Sequence, residues 1–387
     1  MRARSTSFRP GQPRFDDHHP GTESNVTKII SIETFEGHGC IVRVRTDDGL
    51  EGIGQTAHSE AKITAEVLHS LVARNYLGRD PFDVVTLADS CARAEYKYFG
   101  GFLFRALAGV DTALWDLVGR AKSQPVYQLL GGKARPAVPV YGSAMRRDTT
   151  PEDEVDRMIT AVAEHGFGAV KVKIGERNGR DGEPRSGRTS RLVPLLRKEL
   201  GEEIEISADA NGAYSPGQAV RIGRLLEEYD YLHFEEPVPY WEYENAERIA
   251  AALDIPIGLG EQEFSVENLR RLVTAGMADV IQPDVGYLGG ITRARQVADL
   301  ANLAGVPCVP HSSGRSLTAI FTLHLVTAMP ACSLFHEWTI EDVSDMHFYE
   351  PFPVARGGEI IVSEAPGWGI EIPESVLRQM ERRASTV

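Results

Sequence analysis

From residue 138 to residue 338 the chain repeats one pattern, and that repeat constrains the fold more than anything else in it. Short apolar runs at 138–143, 169–175, 205–211, 231–237, 255–262, 279–284, 307–313 and 333–338 alternate with helical segments. Those segments fall at 151–166, 190–200, 215–229, 241–253, 265–276, 290–305 and 316–329. Strands that alternate with helices must run parallel, because each crossover helix carries the chain back to the same end of the sheet. Eight strands over this length suit a parallel barrel. The architectural alternative is an open doubly wound sheet, but no G-x-G-x-x-G follows the first strand, so its dinucleotide-binding form has no support.

The segment before the repeat differs in style. Residues 28–35 and 40–46 are strand-like around the short break Gly37-His38-Gly39, Asp47-Asp48-Gly49 marks a turn, and 50–54 continues the sheet. Helical patterning follows from about residue 59, and Leu107, Val110, Leu114 and Leu117 define one apolar helix face. A short helix at 125–130 closes at Gly131-Gly132. Residues 26–135 therefore form an α+β unit. At the other end, Ile360-Ile361-Val362 and the turn from Ala365 to Gly369 are expected to return to it. The resulting division is a disordered extension at 1–25, an α+β capping domain from 26–135 plus about 355–387, and a barrel at 136–354. His18 and His19 belong to the solvated extension.

Composition narrows the function. The 387 residues carry a formal net charge of −14, which argues against a nucleic-acid partner. Apolar residues make up 42 %, enough for a core that needs no covalent staples. Cys40, Cys91, Cys308 and Cys332 are scattered without metal-finger spacing, as expected of a reduced, cytoplasmic protein. No apolar run reaches membrane-spanning length, and 317–329 reads as a buried helix.

The chemistry lies at the strand ends. Lys173, Asp209, Glu235, Glu261, Asp284, His311 and Glu337 close seven consecutive strands, at separations of 36, 26, 26, 23, 27 and 26 residues. In a parallel barrel that end is the catalytic face. Asp209, Glu235 and Glu261 sit on adjacent strands, and three converging carboxylates call for a cation. An all-oxygen set favours Mg²⁺ over zinc. Glu236 alternates away from Glu235 and is expected on the opposite side of its strand. Asp284 and His311 form a carboxylate–imidazole pair that suits general acid–base work. Val170, Val172 and Ile174 place Lys171 and Lys173 together on the other strand face, here taken as the interior. Lys171 is the expected cause of a lowered Lys173 pKa. His233, two residues before Glu235, shares the inward face at a deeper level. Tyr141 and Ser143 end the first barrel strand and could reach substrate.

These residues together resemble the enolase superfamily, in its mandelate racemase-like branch. The anchors are Lys171-Val172-Lys173, Asp209-Ala210-Asn211, Glu235-Glu236-Pro237, Gly260-Glu261, Pro283-Asp284, His311, Glu337 and Gly289-Gly290-Ile291-Thr292. The resemblance covers nearly the whole chain from about residue 26. It implies a modified TIM barrel, (β/α)₇β, under an α+β capping domain, with one Mg²⁺ held by Asp209, Glu235 and Glu261. It further implies that Lys173 and the His311–Asp284 pair flank a carboxylate substrate. Either removes the α-proton, while Lys171 and Glu337 hold the resulting enediolate. Asn211, Tyr141 and His58 are the further substrate contacts expected, and homo-oligomers are frequent in such proteins.

The leading outcome is dehydration of an acid sugar. Racemisation, epimerisation or cycloisomerisation of a carboxylate is the alternative. A Schiff-base aldolase and a catalytically silent binding barrel are the rivals from other classes. Two features depart from the common pattern. The break at 37–39 is short for a loop that covers the pocket. The stretch 176–190 is rich in arginine, and one of its side chains could reach a second carboxylate.

Overall fold

The computed structural model describes residues 27–37, 39–312, 316–343, 346 and 348–387. The extension at 1–25, with His18 and His19, lies outside them, as does His38. The elements divide between two sheets. β1 (Ile29–Gly37), β2 (Gly39–Thr46) and β3 (Glu51–Gln55) form an antiparallel meander. The barrel strands are β4 (Val138–Ser143), β5 (Ala169–Lys173), β6 (Glu205–Asp209), β7 (Phe234–Glu235), β8 (Ile257–Leu259), β9 (Val280–Ile281) and β10 (His336–Thr339). β11 (Glu359–Ile360) and β12 (Glu381–Thr386) follow.

The barrel sheet runs β10-β4-β5-β6-β7-β8-β9, with every neighbouring pair parallel. Among the described residues, the strand expected at 307–313 survives as two bridges, Ile281 with Cys308 and Asp284 with His311. Pro307 and Pro310 explain this, since neither has an N–H to give to a ladder. His311 N still donates to the Pro283 carbonyl at 3.1 Å, which holds the histidine at the sheet end.

The helices between strands start and stop on local signals. Thr150 accepts from Asp153 N at 3.1 Å, Pro151 opens the helix Pro151–His165, and Gly166 ends it at φ 71°. All five residues of β5 are buried, which a solvent-facing strand could not tolerate for its lysines. Val170 and Val172 pack in the main core while Lys171 and Lys173 face the barrel interior.

In the capping sheet the order is β12-β1-β2-β3. The outer strand β12 comes from the carboxyl end of the chain, so the tail does return to the first unit. It returns through Glu381–Thr386 and not through the apolar run at 360. That run pairs antiparallel with β4 at the bottom of the barrel. β12 escaped the sequence pattern because its sequence is charged and its residues are almost all exposed. Its partner choice rests on edge hydrogen bonds and on Arg382, whose Nε reaches Glu33 at 3.0 Å.

The long helix Gly101–Ala121 lies against β3 so closely that a Cβ at Gly52 would come within 2.2 Å of the Ala113 carbonyl. The same helix docks the cap onto the barrel. Trp115 Nε1 donates to Thr292 Oγ1 at 3.0 Å, and Asp111 accepts from Thr292 N at 3.2 Å. No helix among the described residues is long and apolar enough to cross a membrane.

Candidate active site

Seven strand-end groups converge at the carboxyl end of the barrel, where a cavity of about 490 Å³ opens between barrel and cap. Lys173, Asn211, Glu261 and His311 line it, and His58 reaches it from the cap. Asp209, Glu235 and Glu261 bring one carboxylate oxygen each within 4.8 Å of the others, all three residues buried. Glu261 Oε2 has no hydrogen-bond partner, an orphaned acceptor of the kind a cation satisfies. Oxygen donors alone, rigidly held, fit Mg²⁺.

The lysines take different partners. Lys171 Nζ lies 2.8 Å from Glu235 Oε2 and 2.9 Å from Glu337 Oε1, above the Tyr141 ring at 5.3 Å. Burial works against its charge, but the Glu235 and Glu337 carboxylates outweigh it and hold its pKa well above the usual lysine value. The same contacts, again against burial, keep Glu337 down at about 2, with His311 assisting Lys171. Lys173 contacts Asp209 and reaches Asn211 Oδ1 at 3.3 Å. Two carboxylates within 3 Å meet the Lys171 charge, so that Lys171 anchors Glu235 and Glu337.

His311 Nδ1 sits 2.7 Å from Asp284 Oδ2, and its Nε2 faces Glu261 and Glu337, each at 3.6 Å. Burial disfavours the imidazolium, yet Glu261, Glu337 and Asp284 together raise its pKa well above the ordinary histidine value. Asp284 is itself held by the following helix, accepting from Tyr287 N at 2.8 Å. Glu337 accepts from Ser143 Oγ at 2.8 Å and from Ser312 N at 3.2 Å. Ser143 therefore orients a carboxylate.

Two expectations are corrected. Glu236 does not turn away: it is buried, lines the cavity and accepts from Asn211 Nδ2 at 3.2 Å. β7 ends at Glu235, and Glu236 takes φ 42°, so strand alternation no longer governs its side chain. Burial first, and then the charges of Glu261 and Asp209, drive its pKa well up. Tyr141 lies beneath Lys171 in a small apolar cluster with Ala169, Val280 and Val309, only 4 % exposed, and is not part of the cavity lining. His233 sits deep as expected, 2.9 Å from Ser207 Oγ and 3.6 Å from Glu235.

Of the arginine-rich stretch, only Arg177 lines the cavity. Arg188 instead braces the end of β5, donating to the Lys173 carbonyl at 2.8 Å and to Thr149 O at 2.9 Å. The sequence reading missed three residues. Gln282 Nε2 donates to Glu235 Oε2 at 2.8 Å, and the period of two from Asp284 could have revealed it. Arg147, in the loop after β4, donates to Asn211 Oδ1 at 2.7 Å, and Tyr287, in the four-residue helix Val285–Leu288, forms part of the wall; neither stretch is long enough to carry a periodic signal.

A curled parallel sheet, a separate α+β cap and a buried carboxylate trio at the strand ends define a class of barrel enzymes that work beside a carboxylate-bound cation. Family comparison agrees. Residues 22–131 match the mandelate racemase / muconate lactonizing enzyme N-terminal domain, and 153–376 match the enolase C-terminal domain-like family. The chain belongs to this family, within the enolase superfamily.

Among curated relatives, a D-galactonate dehydratase family member of Catenulispora acidiphila is 31 % identical, covering 90 % of this chain and 86 % of its own. The L-talarate/galactarate dehydratase of Salmonella typhimurium is 29 % identical, covering 87 % and 81 %. A Roseobacter denitrificans structure described as a proposed racemase superposes with TM-score 0.90 at 38 % identity, covering 93 % of this chain and all of its own. A mandelate racemase/muconate lactonizing protein from Paracoccus denitrificans, complexed with magnesium, gives 0.85 at 29 %, covering 93 % and 99 %. Mg²⁺ is thus the cofactor of this carboxylate cluster.

Proposed function

We propose that this protein abstracts the proton α to the carboxylate of an acid sugar and eliminates a β-hydroxyl as water, acting as a sugar-acid dehydratase. One observation carries the reading: Lys173 and the Asp284-bound His311 line the same cavity, on either side of the carboxylate trio. Asp209, Glu235 and Glu261 would hold Mg²⁺, which when bound would supply positive charge to the substrate carboxylate.

The rest is the work of side chains. Lys173 or His311 takes the α-proton. Lys171, fixed as a cation by Glu235 and Glu337, keeps positive potential beneath the site. His311, oriented by the 2.7 Å contact of its Nδ1 with Asp284, gives a proton to the departing hydroxyl when Lys173 is the base. Asn211 and His58 line the cavity and contact the substrate. Dehydratase names among the relatives support the outcome. The same two groups would serve a racemase or epimerase, a second reading that the description of the Roseobacter neighbour favours. Four free, buried cysteines accord with a reducing cytoplasm.

The test is exchange of the substrate α-proton with deuterated solvent, across a panel of acid sugars with Mg²⁺. Loss of exchange by about 10²–10⁴-fold is expected in Lys173→Ala or His311→Ala, with the larger loss marking the base. Undiminished exchange in the double variant would refute the assignment, and turnover that survives a chelator would refute the metal-dependent mechanism.

A further inference from the structure

The catalytic cavity does not end at the catalytic groups. Ser59, Tyr240, Gln262 and Tyr287 line it and also line an adjoining cavity of about 420 Å³ under the cap. Among the described residues, the one arginine of that second cavity is Arg105, half-buried, from the helix Gly101–Ala121. Its guanidinium carbon lies over the Tyr287 ring, 3.6 Å from the centroid. On the catalytic side the Tyr287 and His311 rings are 6.4 Å apart, centroid to centroid.

Arg43, Arg74, Arg120 and Arg157 all pair with carboxylates of the protein. Arg105 pairs with none among the described residues, although Glu60 lines the same cavity. A guanidinium stacked on an aromatic face is oriented and leaves its donor edge open. An oriented guanidinium with no carboxylate partner in a cavity wall matches a planar, bidentate anion, and the carboxylate is the one an acid sugar carries.

We propose that Arg105 is a specificity-determining residue that receives a second carboxylate at the far end of the substrate, so that the preferred substrates are sugar diacids. This rests on the acid-sugar reading above. A six-carbon chain is about 6 Å between its end carbons. With its first carboxylate among the catalytic groups, such a chain can run past Tyr287 toward the arginine. The terminal hydroxyl of a sugar monoacid would leave the guanidinium without a counter-charge.

The probes are pairs that differ only at the last carbon: galactarate with galactonate, and glucarate with gluconate. Their dissociation constants are measured by calorimetry on the full-length, Mg²⁺-loaded protein, for the wild type, Arg105→Met and Arg105→Lys. The wild type is expected to bind the better diacid at least about tenfold more tightly than its monoacid partner. Arg105→Met should bring the two within about twofold of each other, and Arg105→Lys should retain part of the preference. Equal binding of both acids by the wild type, binding of neither, or an unchanged preference in Arg105→Met overturns the proposal. Solvent exchange of the α-proton, followed on the same acids, separates the two ideas. An Arg105-dependent preference without exchange leaves the subsite standing and removes the dehydratase. Exchange with an Arg105-independent preference does the reverse.

Discussion

Asn211 is the second residue after β6 and Glu236 the first after β7, and each takes φ 42°. Left-handed backbone at a non-glycine residue costs roughly 1–3 kcal/mol and persists where the surroundings hold it. Here they do. Asn211 N donates to Asp209 Oδ1 at 2.7 Å, and Asn211 Nδ2 donates to Glu236 at 3.2 Å and to Glu261 at 3.1 Å. The turn swings both side chains over the carboxylate trio, where strand geometry alone would have sent Glu236 outward. Orientation of the ligands themselves depends on groups behind them. Gln282 is the clearest, through its 2.8 Å bond to Glu235 Oε2. Gln282→Ala is expected to weaken Mg²⁺ binding by about 10–100-fold in a direct titration while the fold's circular dichroism is retained. Unchanged affinity would show that Lys171 alone suffices to hold Glu235.

At the scale of elements, the outer strand β12 is attached to the cap with nearly all of its own residues exposed. His69 joins it to β1: Nε2 is 2.9 Å from Thr34 Oγ1 and Nδ1 is 2.8 Å from Ser385 Oγ. Burial, helped by the Arg383 charge, lowers the His69 pKa to about 4. Its folded value is below its unfolded one, so the unfolded state binds more protons between the two. The neutral ring's contribution is therefore complete above about pH 6.5 and is lost as pH falls toward 4. Glu66, held down at about 2 by its bond to Arg383, stays ionised throughout that window. Amide hydrogen exchange across 381–386, corrected for intrinsic rates, should lose protection between pH 6.5 and 4. A flat profile there would place the attachment of β12 elsewhere.

Asp111 has the opposite sign. Burial in the cap helix pushes its carboxyl up to about 7, so the folded state holds a proton that the unfolded state has lost. Its effect on stability is therefore a decline as pH rises from about 4 to 7. Asp111→Asn keeps an acceptor toward Thr292 N and should flatten that slope in urea midpoints taken from pH 4.5 to 8. Equal slopes in both proteins would refute the assignment.

Across the whole molecule, cap and barrel are joined by side chains far from the chemistry. Trp368 is the centre of that junction. It packs on Phe321 of the last barrel helix at 4.4 Å, and its indole donates to the Thr112 carbonyl of the cap helix at 3.0 Å. Its backbone N reaches Asp116 at 2.9 Å. Trp368→Ala is expected to cost about 3–5 kcal/mol in equilibrium unfolding. A loss well under 1 kcal/mol would mean that cap and barrel cohere without it.

The chain alone determined the barrel, its helical shell and the seven ionisable groups at its catalytic end, because each rests on a local period. Apolar strands alternate with amphipathic helices, and one charged residue recurs about every 26 positions along the strand ends. Burial of both lysines was equally legible, since Val170, Val172 and Ile174 had to face the helices. What only the tertiary structure decided has no period to read. Two prolines reduced the seventh strand to a pair of bridges, a positive φ turned Glu236 inward, and a charged, exposed segment became the outer strand of the cap. The cavity under the cap, with Arg105 against Tyr287, joins residues 182 positions apart. Local pattern encodes which face of an element is buried. Which distant side chains share a cavity depends on how two independently patterned units dock.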